Sequence, residues 1–168
     1  MEKVELLKVN GEVKLKKLAW SVMVPVVGGS VVGAFANRDS QEKYDKLKKP
    51  PYSPPWVFPT VWTTLYAMMG VAKYRADEKA KLRNKQLKVI VPYEIQLGLN
   101  FLWSFLFFKW GLRGTALVEM AFLLAAITFT AYEFSKYDKT AGALMVPYIG
   151  WVSFALGLNF SIVKLNAL

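Results

Sequence analysis

Between clusters of charge the chain carries five apolar runs, and their lengths leave few folds open: Leu18–Ala36, Pro55–Tyr74, Val89–Phe108, Leu112–Phe134 and Ala143–Val163. A helix needs about 20 mostly apolar residues to cross the hydrocarbon core of a bilayer. The second run reaches that length only with Lys73 inside it, and the long stem of a lysine near a helix end can carry its ammonium back to the headgroups. Five such helices packed in water would leave too little amphipathic surface to face solvent. The expected fold is an all-α membrane protein. It is a five-transmembrane-helix bundle over residues 18–165, preceded by a basic tail at residues 1–17. A connection as short as Lys109–Gly111 makes the third and fourth helices antiparallel neighbours.

The charge is distributed as a membrane protein requires. Of the 22 Lys and Arg residues, fourteen fall in the N-terminal tail, the second loop and the fourth loop, which share one side of a five-helix bundle. The positive-inside rule then places the N-terminus in the cytoplasm and the C-terminus outside. The protein is expected in the cell membrane of a prokaryote, or in the mitochondrial outer membrane or another organelle membrane of a eukaryote. A net charge of +10 beside apolar spans points to anionic lipid and not to nucleic acid. No A-x-A-like cleavage site follows the first run, so that run is expected to stay as a helix. The chain has no Cys and no His, which excludes disulfides, thiolate chemistry, imidazole bases and the usual zinc or haem-iron ligation. No metal and no obligatory cofactor is expected.

The segment Lys49–Gly70 is the most distinctive in the chain. Pro50, Pro51, Pro54 and Pro55 enforce a stiff, extended approach, and Pro59 is the last break before a continuous helix. The segment reads as a rigid cap over the mouth of the bundle. Three helices then carry polar and aromatic stripes at helical spacing: Trp62, Tyr66 and Met69; Gln96, Asn100, Trp103 and Phe107; Trp151, Ala155 and Asn159. Two readings remain open. Amides and small residues can be interhelical glue, or indole faces and a few polar groups can line a pocket for a flat aromatic ligand. Gly29 and Gly33 form a G-x-x-x-G that permits close packing within the bundle or between protomers. Glu94 is close enough to a helix end to reach the interface. Glu119 lies about two turns inside the fourth run; it either pairs with Arg113 or Lys109 or makes a polar contact inside the bundle.

Several of these pieces occur together in a pattern that resembles the translocator protein family, also called tryptophan-rich sensory proteins or peripheral benzodiazepine receptors. They are Tyr44-x-x-Leu47-x-Lys49-Pro50, Pro54-Pro55-Trp56-Val57-Phe58, Val61-Trp62-Thr63-x-Leu65-Tyr66-x-x-Met69-Gly70, Gln96-Leu97-x-Leu99-Asn100-x-x-Trp103-Ser104, and Pro147-Tyr148-x-x-Trp151-x-x-Phe154-Ala155-x-x-Leu158-Asn159. The resemblance implies a five-helix bundle, commonly a homodimer, whose first loop folds over a pocket. It implies porphyrin ligands such as protoporphyrin IX, and sterols or other hydrophobic small molecules. Carried over by motif, the ligand-binding residues are Tyr44, Trp62, Asn100, Trp103, Trp151, Ala155 and Asn159, with Pro50, Pro54 and Pro55 in the lid loop. Phe160 stands where the family's sterol motif has a Tyr, between Leu158 and Lys164.

Three functions follow as expectations. The first is a porphyrin- or lipid-binding membrane protein acting as carrier, buffer or stress sensor. Trp62 and Trp151 are its aromatic walls, and Asn100 and Asn159 are its amide donors and acceptors. The second is a light- and oxygen-dependent porphyrin-degrading enzyme in which Trp62 and Trp151 take part, since no acid–base pair supports dark catalysis. The third is a membrane interaction scaffold without a small ligand.

Overall fold

The computed structural model describes residues 6–37 and 57–166, and the described part of each apolar run is helical, the fifth with a break at Met145. The long helices are α1 (Leu15–Asn37), α2 (Val57–Lys81), α3 (Leu87–Ser104) and α4 (Arg113–Tyr137); a short α5 (Lys139–Leu144) leads into α6 (Val146–Asn166). No strand forms among the described residues. A helix satisfies its own backbone groups, which lipid cannot do. Among the described residues, four segments are long and apolar enough to cross a membrane: Leu15–Ala36, Leu87–Lys109, Arg113–Tyr137 and Lys139–Asn166. The remaining long helix, α2, has 25 residues. At 1.5 Å per residue it is about 37 Å long, more than the hydrocarbon core of about 30 Å. Its last two turns, with Arg75, Asp77, Glu78, Lys79 and Lys81, extend beyond the apolar run.

The end of α3 differs from the expected plain helix. Residues Phe105–Lys109 form a π-helical turn, in which Trp110 N–H donates to Phe105 O at 2.8 Å. The wider turn accompanies crowding by aromatic rings: Trp103 and Phe107 stack with centroids 4.9 Å apart, and Phe107 and Phe108 meet edge to face at the same distance. Gly111, at φ +64°, supplies the left-handed residue that turns the chain into α4. The third and fourth spans are antiparallel neighbours, as the short connection demands.

The N-terminal segment is folded onto the bundle. Val9 and Glu12 pair across Asn10 and Gly11, whose positive φ values of 58° and 81° suit a tight hairpin turn. Val9 is buried in a cluster with Leu18 and Tyr74. Arg75 donates to the carbonyls of Leu6 and Lys8 and, through Nε and Nη2, to the Asp138 carboxylate at 2.6 and 3.3 Å. Lys14 meets Glu78 at 3.0 Å, and Lys17 meets Asp77 at 3.2 Å and Glu78 as well. The N-terminal segment, the end of α2 and the α4–α5 link therefore meet at one end of the bundle, the grouping that the basic residues imply.

The core lies between α2, α3, α4 and α6 and includes Leu65, Met69, Val89, Leu123, Ile127 and Val152. The α1–α2 contact depends on glycine. A Cβ on Gly70 would sit 2.5 Å from Ser21 O and 2.6 Å from Val22 Cα, so only glycine admits this backbone approach. A Cβ on Gly29 would fall 2.2 Å from the Tyr66 ring. At Gly29 the close approach expected of the G-x-x-x-G spacing is thus made inside the bundle.

Candidate ligand site within the bundle

The stripe residues of α2, α3 and α6 point inward and separate into two hydrogen-bonded groups. In the first, Tyr66 donates to Asn100 Oδ1 at 2.6 Å, Asn100 Nδ2 donates to Tyr148 Oη at 2.6 Å, and Tyr148 donates to Gln96 Oε1 at 2.8 Å. Gln96 Nε2 lies 3.9 Å from Met69 Sδ, which closes the chain back onto α2. All four polar residues of this relay are buried, Gln96 completely. In the second group, Trp103 Nε1 donates to Asn159 Oδ1 at 3.1 Å, and Asn159 Nδ2 donates to Arg113 O at 3.1 Å. The Arg113 guanidinium lies over the Phe107 ring, 5.1 Å from its centroid.

Both asparagine amides are therefore engaged within the protein. Both ends of the Asn100 and Asn159 side chains bind α2, α3, α4 or α6, and they tie the helices together as the glue reading describes. Aromatic faces remain beside them. Trp62 is half-buried; its ring stacks on Tyr66 with centroids 5.7 Å apart and meets Tyr148 and Trp151 edge-on at 6.3 and 6.4 Å. Trp151 continues to Phe154 at 5.3 Å. Ala155, buried one turn further along α6, keeps that side of the aromatic group free of bulk.

Of the residues expected at the site, the structure brings Trp62, Asn100 and Trp151 together around Tyr66 and Tyr148. Trp103 and Asn159 lie in the second group toward the start of α4. Tyr44, Pro50, Pro54 and Pro55 lie outside the described residues. Tyr148, which joins α3 to α6, is missing from the sequence stripes. It is three residues before Trp151, so extending that stripe by one turn would have found it. An open apolar groove of about 810 Å³ runs along α4 and α6 on another face, lined by residues such as Ala121, Ala125, Leu156 and Gly157. None of the expected site residues among the described ones lines it.

The profile of the TspO/MBR family matches residues 21–165. The chain belongs to this family. It is 37% identical over 150 residues to the tryptophan-rich protein TspO of Chlorobaculum tepidum, covering 89% of this chain and 95% of that one. It is 38% identical over 138 residues to the tryptophan-rich sensory protein of Cereibacter sphaeroides, covering 82% and 84%. It is 32% identical over 148 residues to the human translocator protein, covering 86% of each. The TspO chain described here is accordingly a multi-pass membrane protein. Its N-terminal hairpin precedes the matched region, whereas both hydrogen-bonded groups lie inside it.

Proposed function

We propose that this TspO protein holds a flat, hydrophobic ligand of the porphyrin class against Trp62 and Trp151, and acts as a carrier, buffer or sensor for it. The observation that carries this reading is the half-buried Trp62, flanked by Tyr66, Tyr148 and Trp151 at 5.7–6.4 Å. An aromatic wall of this kind favours a planar ring system. The hydrogen-bonded relay beneath it fixes the wall in place, so the ligand meets a preorganised surface. With no His or Cys in the chain, the metal-free porphyrin is favoured over haem. The family resemblance supports both the ligand class and a homodimer.

The test is equilibrium titration of protoporphyrin IX and of haem into the detergent-solubilised protein, read by Trp quenching. Trp62→Ala is expected to weaken protoporphyrin binding by about 10-fold or more, as loss of a central aromatic anchor does. Unchanged affinity in Trp62→Ala would sink the assignment, and haem binding as tight as the free porphyrin would sink the ligand preference. Chemical cross-linking in native membranes tests the dimer.

A further inference from the structure

Glu119 is a buried ionisable group that this reading leaves unused. It is 9% exposed, within α4, and neither carboxyl oxygen has a hydrogen-bond partner among the described residues. Pairing with Arg113 or Lys109, one of the two sequence expectations, does not occur: the Arg113 guanidinium is over Phe107 and the Lys109 ammonium over Phe105. The Tyr93 hydroxyl likewise has no hydrogen-bond partner among the described residues, but the polar-stripe groups do. Asn100, Gln96, Tyr148, Trp103 and Asn159 are all hydrogen-bonded. An ionisable group left alone inside a span is costly, and such groups mark functional sites.

Its position can be fixed from its neighbours. Ala116, one turn before Glu119, packs in the cluster of Leu106, Phe107 and Leu158, while Leu123, one turn after it, packs in the main core. Trp103 packs against both clusters. Glu119 therefore lies at the seam between them. The bond from Asn159 to Arg113 O joins the start of α4 to the later turns of α6, and the short α5 connection joins the end of α4 to the start of α6, so the two run antiparallel. Six residues further along α4, about 9 Å, brings Glu119 close to the level of Ser153, between Trp151 and Ala155. The carboxyl group thus shares its depth with the aromatic site and adds an acceptor in which neither oxygen is bound to protein among the described residues.

We infer that Glu119 is a recognition group for a ligand carrying a protonated amine on a hydrophobic body. A carboxylate accepts such a donor through either oxygen, and a charge-assisted bond in a dry site is among the stronger polar contacts. A ligand of this class would supply the partner that the bundle withholds. The inference rests on the bundle being a ligand site, and the experiment separates the two.

Two probes of one shape serve: 1-pyrenemethylamine, a cation at neutral pH, and the neutral 1-pyrenemethanol. Binding to the solubilised protein is read by energy transfer from Trp to pyrene, with empty micelles as the blank. The wild type should prefer the amine by roughly 10- to 100-fold. Glu119→Gln should abolish that preference and leave the alcohol's affinity unchanged, and Glu119→Leu should do the same. Binding of the alcohol with no preference for the amine overturns the inference alone, as does a preference that survives in both variants. Failure of the wild type to bind either probe overturns the inference together with the ligand-site reading.

Discussion

Tyr148→Phe separates glue from ligand contact at the centre of the bundle. The substitution removes one hydroxyl and keeps the ring, so the edge contact with Trp62 at 6.3 Å is preserved. It deletes two hydrogen bonds, from Asn100 Nδ2 at 2.6 Å and to Gln96 Oε1 at 2.8 Å, and both stranded amides are buried. Interhelical bonds of this type average about 0.6 kcal/mol and reach about 1.7 kcal/mol. Two of them give an expected loss of about 1–3 kcal/mol. Tyr66→Phe, which deletes a single bond to Asn100, should cost about half as much. The assay is reversible unfolding by dodecyl sulfate from dodecyl maltoside micelles, followed by Trp fluorescence, with a porphyrin titration on the same samples. Structural glue predicts lost stability and an affinity changed by less than about threefold. Unchanged stability with an affinity that collapses would refute the reasoning, because the hydroxyl would then be serving the ligand and not the helices.

Three other perturbations probe the frame. Gly70→Ala drives a methyl into the α1 backbone at Ser21 and should cost about 1–3 kcal/mol in the same unfolding assay; Gly98→Ala, whose added Cβ would meet nothing within 4 Å, should be neutral or stabilise α3 by up to about 1 kcal/mol. Arg75→Gln leaves Asp138 with only its helix-capping bond from Ala141 N–H and removes the charged donor to the Leu6 and Lys8 carbonyls, an expected loss of about 3–5 kcal/mol, part of which Asp138→Asn should restore; additive losses would show that the pair is not coupled. Burial pushes the Glu78 carboxyl up, but hydrogen bonds from Lys17 and Lys14 outweigh it and hold the group below its ordinary 4.5. Its contribution to stability is therefore complete above about pH 4.5 and is lost as the pH falls through the lowered folded value, so Glu78→Gln should flatten the acid limb of a stability–pH curve.

The frame of this protein was legible because span length is a nearly one-dimensional constraint. The apolar runs located five long helices, and Lys109–Gly111 set the α3–α4 hairpin before any coordinates. What escaped depends on partners distant in sequence. Residues 1–17 read as a basic tail, yet Val9 finds a place beside Tyr74, and Arg75 supplies donors to backbone carbonyls 67 and 69 residues away. Nothing local in the tail signals this docking. The π-helical turn at Phe105 likewise follows from how Trp103, Phe107 and Phe108 pack together, and a hydropathy pattern carries no record of that.

The candidate site was half legible for a deeper reason. A polar stripe on an apolar helix must face inward whether it binds a ligand or another helix, so its periodicity is the same in both cases. Spacing alone placed Trp62, Asn100, Trp103, Trp151 and Asn159 on inward faces without assigning their partners. Atom-level pairing makes the distinction. An amide whose oxygen and nitrogen are each bound to protein, as in Asn100 and Asn159, is fixed in orientation and keeps one N–H and one lone pair for any further partner. An indole face makes no such bond. Glu119 is the converse case: a group with acceptor capacity in full and nothing in the described chain to use it. On the proposed function, recognition falls to the aromatic faces and, on the further inference, to Glu119, with the hydrogen-bonded stripe residues holding those groups in register.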